Sequence, residues 1–313
     1  MKIAIQMDPI EAVDIEADTT FDMAISAIER GHEIWVFGPE YLSLLSGRVF
    51  ASAQKIQRLE RKAGNHVSLH DAGSLDLGAM DVILIRQDPP FDMAYITAAQ
   101  ILERLTDKVL ILNNPRSVRD APEKLYVTEY DDLTPPTLIT RDKAAMDNFR
   151  KEHGDVIVKP LYGNGGAGVF KVAHDDGNYN ALIEMFTETS NEPLIIQKFL
   201  PAVTSGDKRI ILIDGEAVGA INRVPQKGET RSNMHVGGRA EPTELSARDK
   251  EICARIGPDL SKRGLVIVGI DVIGDYLTEI NVTSPTGFQE VRNFGGADIS
   301  GILWDWVTAR LSQ

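Results

Sequence analysis

The chain has 313 residues and a formal net charge of −13, a balance that opposes nonspecific binding to nucleic acid or to an anionic membrane. The length predicts two or three domains with ample cores. The single cysteine, Cys253, excludes an intrachain disulfide and any cysteine-based metal cluster; with Ile252, Ile256 and Leu260 around it, it reads as a core thiol. No apolar run is long enough for a leader or a membrane span, which predicts a cytoplasmic protein without nucleic-acid or membrane partners.

Residues 2–7 read as an apolar strand. Asp18 or Thr19 caps a helix that runs through Ile28 and is ended by Gly31, and 33–37 form the next strand. Strands at 48–54 and 66–69 surround a charged segment, and 81–86 is a strongly apolar strand leading into Arg86-Gln87-Asp88-Pro89-Pro90-Phe91-Asp92. A helix at 93–105 and a strand at 109–113 follow. This alternation predicts a doubly wound α/β domain over 1–121, its parallel sheet covered on both faces. Ligands of such sheets bind beyond the carboxyl ends of the strands, where Met7-Asp8-Pro9 and residues 86–90 leave the sheet; turn chemistry explains the same residues equally well.

Residues 113–122 form a boundary, after which Asp120 is expected to cap a helix with Pro122 in its first turn and Lys124 just beyond. Paired prolines extend 134–140 before a helix at 143–152. Strands at 155–159 and 169–173 then flank a glycine run, and a helix near 179–186 and a strand at 194–197 complete an α+β module over 122–199. The remainder, 200–313, holds strands at 208–213 and 217–224, a charged loop at 224–239, helices at 246–262 and 300–311, and a hairpin at 266–287.

In that hairpin, Val266, Val268, Ile270 and Val272 share one face, opposite Gly269 and Asp271, while Thr278, Ile280 and Val282 alternate with Glu279 and Asn281. A three-residue loop, Gly274-Asp275-Tyr276, sets Asp271 opposite Glu279. The oxygen-only trio Asp271, Glu279 and Asn281 suits a hard divalent cation. Taken alone, the hairpin reads equally well as a strand pair with a solvated polar side.

Gly163-Asn164-Gly165-Gly166-Ala167-Gly168 matches G-x-G-x-x-G, but a strand rather than a helix follows it, so the run caps a hairpin and is no dinucleotide fingerprint. It is not a Walker A sequence either, since no Lys-Ser or Lys-Thr pair follows. A glycine hairpin can lie over a polyphosphate with Lys159 at the end of the entering strand, and a simple turn is the plainer explanation. Gln197-Lys198-Phe199-Leu200 can offer backbone groups to a purine edge while Phe199 or Leu200 covers its face, and a plain linker explains the stretch equally well. Asp207-Lys208-Arg209 opens a strand and Arg223 closes another. The loop 224–239, glycine-rich and charged without apolar periodicity, reads as a mobile lid.

In this order, Lys124, Lys159, the glycine hairpin, the connector, Asp207-Lys208-Arg209, the lid and the Asp271, Glu279, Asn281 set resemble the ATP-grasp superfamily. More narrowly, MDPI, RQDPPFD, PEKL, VPQKGETRSN with its following GGR, and GIDVIGDYLTEINVTSPTG resemble bacterial glutathione synthetases over essentially the whole chain. Lys198, Phe199 and Asn164 depart from the family pattern of asparagine, an aromatic hydroxyl and methionine, and Gly287, Phe288 and Gln289 depart from it as well. The resemblance implies an ATP-grasp fold, two α+β modules gripping ATP, behind the N-terminal domain. It implies ATP-dependent ligation of γ-glutamylcysteine and glycine to glutathione through an acyl phosphate, giving ADP and phosphate. Another ATP-grasp carboxylate–amine ligase is the alternative, and a nucleotide sensor without turnover is disfavoured by the full set of lysine and metal positions.

By the same resemblance, Asp271, Glu279 and Asn281 hold two magnesium ions, or manganese. Lys124 and Lys159 bind phosphates beneath Gly163, Gly165 and Gly166, and Gln197, Lys198, Phe199, Leu200 and Asp207 surround the nucleotide. Arg209, Arg223, Arg231 and Arg239 serve the transferring phosphoryl group and the carboxylates. Arg86, Asp88, Asn281, Ser284, Pro285 and Thr286 meet the substrates. A homo-oligomer, a tetramer, is also implied.

Overall fold

The computed structural model describes residues 1–163, 165–229, 231–234 and 237–313. Asn164 in the glycine run and Thr230, His235 and Val236 in the expected lid lie outside the described residues. Three sheets organise the chain.

At the centre of the first sheet, the strands Glu33–Phe37, Lys2–Gln6, Val82–Ile85 and Leu110–Leu112 pair in parallel in that spatial order. Ile3, Ile5, Val82 and Leu84 are fully buried, as are Ala4 and Ile83, so both faces are covered, which is what the continuous apolar runs require. Beyond Glu33–Phe37 the sheet becomes antiparallel. The strand Arg48–Leu59, longer than expected, pairs with Glu33–Phe37 and carries Leu42–Leu45, Val67–Leu69 and Gly73–Asp76. The sheet is therefore mixed: Val49, Ala51 and Ala53 are buried with more exposed residues between them, the one-sided pattern of an antiparallel extension.

Asp18 caps the helix Thr19–Glu29 by accepting from the Phe21 N–H. Asp120 is not a cap. It ends the helix Pro115–Asp120, which Asn114 caps through Ser117, an Asn-Pro start that favours the first turn. Pro122 then precedes the short helix Glu123–Tyr126, which carries Lys124.

The second sheet runs Phe170–Val172, Val156–Pro160, Leu194–Lys198, Thr137–Thr140, all antiparallel. The helices Lys143–His153 and Tyr179–Thr189 cover it, with Met146, Tyr179 and Ile183 packed on Val156, Val158 and Ile196.

The third sheet runs Arg239–Pro242, Glu216–Val224, Asp207–Ile213, Ile267–Ile273, Tyr276–Asn281. The helix Ala247–Lys262, started by a capping box between Ser246 and Asp249, seals its apolar face with Ile252, Cys253, Ile256 and Leu260. Burial pushes the Cys253 thiol up to about 11, in keeping with a core residue. The helices Phe288–Asn293 and Ile299–Leu311 reach back to the N-terminal region, where the Trp304 indole donates to the Met23 carbonyl at 2.9 Å. Among the described residues, no helix is long and apolar enough to cross a membrane.

Asp271 does stand opposite Glu279, but not through a three-residue loop. Ile273 pairs with Tyr276 and Val272 with Leu277 around a two-residue turn, Gly274-Asp275, and a register shift beyond Val272 restores the Asp271–Glu279 pairing. Such a bulge re-aims the residues it displaces. Leu277 joins the core, and Thr278, expected on the apolar face, instead lines the cleft and donates its hydroxyl to the Asp271 carbonyl at 3.1 Å.

Candidate active site

A cleft of about 890 Å³ is lined by the loops leaving the N-terminal sheet and by both α+β modules. Strand register assembles its floor. Arg209 pairs with Asp271 across neighbouring strands, and its Nε and Nη2 donate to the two carboxylate oxygens at 2.5 and 2.9 Å, a bidentate contact. Asp207 pairs in register with Arg223, whose Nη2 donates to Asp207 Oδ2 at 2.6 Å and lies 2.9 Å from Asp271 Oδ2. Burial pushes the Asp271 carboxyl up, but Arg209 and Arg223 together outweigh it and hold the group well below the usual carboxylate range. At Asp207 burial wins over Arg223 and lifts the carboxyl to about 6.

Glu279 faces Lys124 and Lys159, with Nζ atoms 3.4 and 3.7 Å from its Oε1. Burial raises the Glu279 carboxyl, and the two ammonium groups more than reverse that, leaving it lowered. Lys159 is lowered by burial, whereas at Lys124 the attraction of Glu279 overcomes burial and the group is raised. Lys124 also donates to the Gly163 carbonyl at 2.5 Å, which ties the glycine run to this cluster.

The trio expected to hold a metal converges here, since Asn281 Nδ2 lies 3.4 Å from Asp271 Oδ2. Among the described residues no group of three His, Cys, Asp or Glu side chains is placed to hold an ion. Magnesium needs no such cage: one or two carboxylates with phosphates and waters suffice. Glu279 and Asn281 fit that requirement. Asp271 fits it only in competition with Arg209, which engages both of its oxygens.

Gly165, Gly166 and Gly168 have φ of 59, 80 and 70°, a conformation glycine adopts without strain. A Cβ on Gly166 would come within 2.9 Å of Asn233 Oδ1, so this loop and the expected lid touch. Arg231 lies at the same junction, its guanidinium bound to Glu229 at 2.6 Å and 3.4 Å from the Gly166 carbonyl. Ser232 donates to Asp207 Oδ2 at 2.7 Å. Gln197, Lys198, Phe199 and Leu200 line the cleft beside the glycine run. Gln197 donates to Thr137 Oγ1 at 2.8 Å, and the Phe199 ring carries Lys171 Nζ 4.1 Å from its centroid.

At the other end, Arg86 is buried, with Nε donating to Thr20 Oγ1 and Nη2 to the Pro285 carbonyl, each at 3.0 Å. Ser284 Oγ donates to the Gln87 carbonyl at 2.9 Å, and the Asp88 N–H to Asp8 Oδ2 at 2.9 Å. Thr286 completes this stretch of the lining. Arg239 is not brought to the cleft. It opens the strand Arg239–Pro242 with its side chain 76% exposed and paired with Glu241, so the expected lid is the connection between two paired strands and ends before this residue.

Sequence reasoning missed Glu123, Thr283 and Gln289 as cleft-building residues. Glu123 lines the cleft and accepts from Thr283 Oγ1 at 3.0 Å, and burial raises its carboxyl. Gln289, fully enclosed, donates to the carbonyls of Ile15 and Asp18 at 3.2 and 2.7 Å and fastens the loop that bounds this end of the cleft. A single acid beside a lysine carries no spacing signal. Gln289 stood out only as a departure from a pattern.

Residues 1–119 match the family model for the prokaryotic glutathione synthetase N-terminal domain, and residues 123–296 match that for the prokaryotic glutathione synthetase ATP-grasp domain. The chain is 57% identical over 310 residues to a glutathione synthetase of Mesorhizobium japonicum, covering 99% of both chains. It is 54% identical to that of Brucella melitensis, again over 99% of both, and 44% identical to that of Salmonella typhimurium over the full length of both. Among solved structures, the D-cycloserine synthetase DcsG superposes with a TM-score of 0.68 at 13% identity over 99% of this chain and 100% of that one. An ATP-grasp RimK domain protein from Sphaerobacter thermophilus gives 0.64 at 16% over 98% and 100%. These two likenesses carry the fold alone, whereas the full-length identities carry the activity: the chain belongs to the prokaryotic glutathione synthetase family and is an ATP-dependent ligase that makes glutathione.

Proposed function

We propose that the cleft activates the cysteinyl carboxylate of γ-glutamylcysteine as an acyl phosphate, which the amine of glycine then attacks. A carboxylate oxygen bonds to the γ-phosphorus as the bridge to ADP breaks; the glycine ammonium loses one proton to become the free amine, its nitrogen bonds to the carbonyl carbon as phosphate leaves, and a second proton is lost to leave the amide N–H. The observation that carries this reading is the convergence of Lys124, Lys159, Arg209 and Arg223 on one end of the cleft in a chain of net charge −13. Such a concentration of cations suits a triphosphate and a carboxylate that would otherwise repel each other.

Lys124 and Lys159 contact the phosphates, with the glycine run above them and residues 197–200 beside the base. Glu279 and Asn281 would hold magnesium or manganese, with Asp271 joining them in competition with Arg209, and the ion would supply charge neutralisation. Arg209 and Arg223 face the charge that develops on the transferring group. Arg231 and Ser232 belong to a loop that keeps water from the acyl phosphate. Arg86 has two donors committed to Thr20 and Pro285 and acts on the dipeptide chiefly by fixing the Ser284–Pro285–Thr286 turn.

Release of ADP measured with ATP, γ-glutamylcysteine and glycine, omitting each in turn, tests the reading. Full turnover is expected only with all three. Release that ignores the dipeptide, or that runs faster with an unrelated acid and amine, would overturn it.

A further inference from the structure

Around the phosphate end of the cleft, the carboxylates on the third sheet are committed to cations: Asp271 to Arg209 and Arg223, Asp207 to Arg223, and Glu279 to Lys124 and Lys159. Glu123 is held more loosely. Its one hydrogen bond among the described residues comes from Thr283 to Oε1, and its ion pair with Lys124, with Nζ 4.0 Å from Oε2, is longer than any of these and beyond hydrogen-bonding reach. The side chain lines the cleft and keeps 18% of its surface exposed.

Two neighbours fix where that carboxylate sits. Glu123 directly precedes Lys124, which meets both Glu279 and the glycine run. Its hydroxyl partner, Thr283, directly precedes Ser284, Pro285 and Thr286 on the exit from the strand Tyr276–Asn281. The carboxylate therefore sits where the phosphate end gives way to the Ser284–Pro285–Thr286 turn.

We propose that Glu123 receives the ammonium group of glycine and holds its nitrogen toward the acyl phosphate, a specificity-determining contact that rests on the acyl-phosphate reading. In γ-glutamylcysteine the free ammonium lies on the glutamyl α-carbon, many bonds from the cysteinyl carboxylate that is activated. The ammonium that comes to the reaction centre is thus that of the incoming amine. Lys124, Lys159 and Arg209 would repel it, and a nearby carboxylate offsets that repulsion. Burial of Glu123 disfavours its charged form in the free protein, and an ammonium against Oε2 restores it. A second substrate without a cationic amine gains nothing from the same contact, so the site selects for a protonated amine.

Glu123→Gln keeps an oxygen for the Thr283 hydroxyl and removes the charge. The KM for glycine should rise about 10- to 100-fold, the size of a lost charged hydrogen bond, while the KM values for ATP and dipeptide stay within about twofold. Glu123→Asp should recover part of the loss. Hydroxylamine, neutral near pH 7 and able to trap an acyl phosphate as the hydroxamate, should be used by Glu123→Gln nearly as well as by the wild-type protein. An unchanged glycine KM, an ATP KM that rises in parallel, or hydroxamate formation that falls with glycine use would overturn the proposal. Failure of the wild-type protein to form hydroxamate would count against the acyl-phosphate reading instead, and the glycine KM would still judge Glu123.

Discussion

The two ends of the cleft are held together in different ways. At the phosphate end, Asp207, Arg209, Arg223 and Asp271 lie on adjoining strands of one sheet, and the pairing of those strands places guanidinium against carboxylate. At the substrate end, the loop running up to Asp18 is fastened by Gln289, 271 residues further along the chain. Close by, the buried carboxylate of Asp22 collects Arg61, Arg292 and Ser300 from three separate segments. One end is fixed by local register and charge balance, the other by the docking of the C-terminal helices onto the N-terminal domain. Chemistry at the first should be sensitive to charge and tolerant of distant changes, and binding at the second should follow the quality of the dock.

The largest expected effect lies at the phosphate end. Glu279→Gln removes the carboxylate shared by Lys124 and Lys159 and should lower turnover by about 100-fold, the scale of losses when a metal site is impaired. The fold should survive, because the glutamine side chain keeps the shape of the glutamate and an oxygen that can accept from Lys124 and Lys159. Steady-state rates at ordinary magnesium, with circular dichroism as the control, check this; a near-normal rate would break the assignment of this end to metal and phosphate.

A smaller effect is expected at the other end. Gln289→Ala removes one of the two donors to each of the Ile15 and Asp18 carbonyls, which keep Arg61 Nη1 and the Asp22 N–H, and takes the Oε1 acceptor from Arg61; it should cost about 1–2 kcal/mol of stability. It should raise the KM for the dipeptide several-fold with the KM for ATP unchanged. Equal movement of both constants would show that the two ends do not behave separately.

The same division explains what could be read from the sequence. The hairpin, the glycine run and its lysine were legible because period-two alternation and glycine spacing are local signals. Even the Asp271–Glu279 pairing emerged, although the chain reaches it with a shorter turn and a bulge at Thr278, which alternation alone does not encode. The antiparallel half of the first sheet was largely hidden, because Leu42–Leu45 and Gly73–Asp76 are short and mostly exposed, with little apolar pattern to detect. Arg239 shared the character of the charged loop, but strand pairing turns it outward to Glu241. Glu123 and Gln289 owe their places to contacts 160 and more than 270 residues away, which no periodicity can report.

In the proposed reaction, the charged end of the cleft transfers a phosphoryl group onto the dipeptide's carboxylate before the amide bond forms. Turnover with γ-glutamylcysteine whose cysteinyl carboxylate carries heavy oxygen, followed by mass spectrometry of the released phosphate, tests it directly. One labelled oxygen is expected in each phosphate, passed on when the amine attacks the carbonyl carbon and the carbon–oxygen bond breaks. Unlabelled phosphate, formed while glutathione still accumulates, would contradict it.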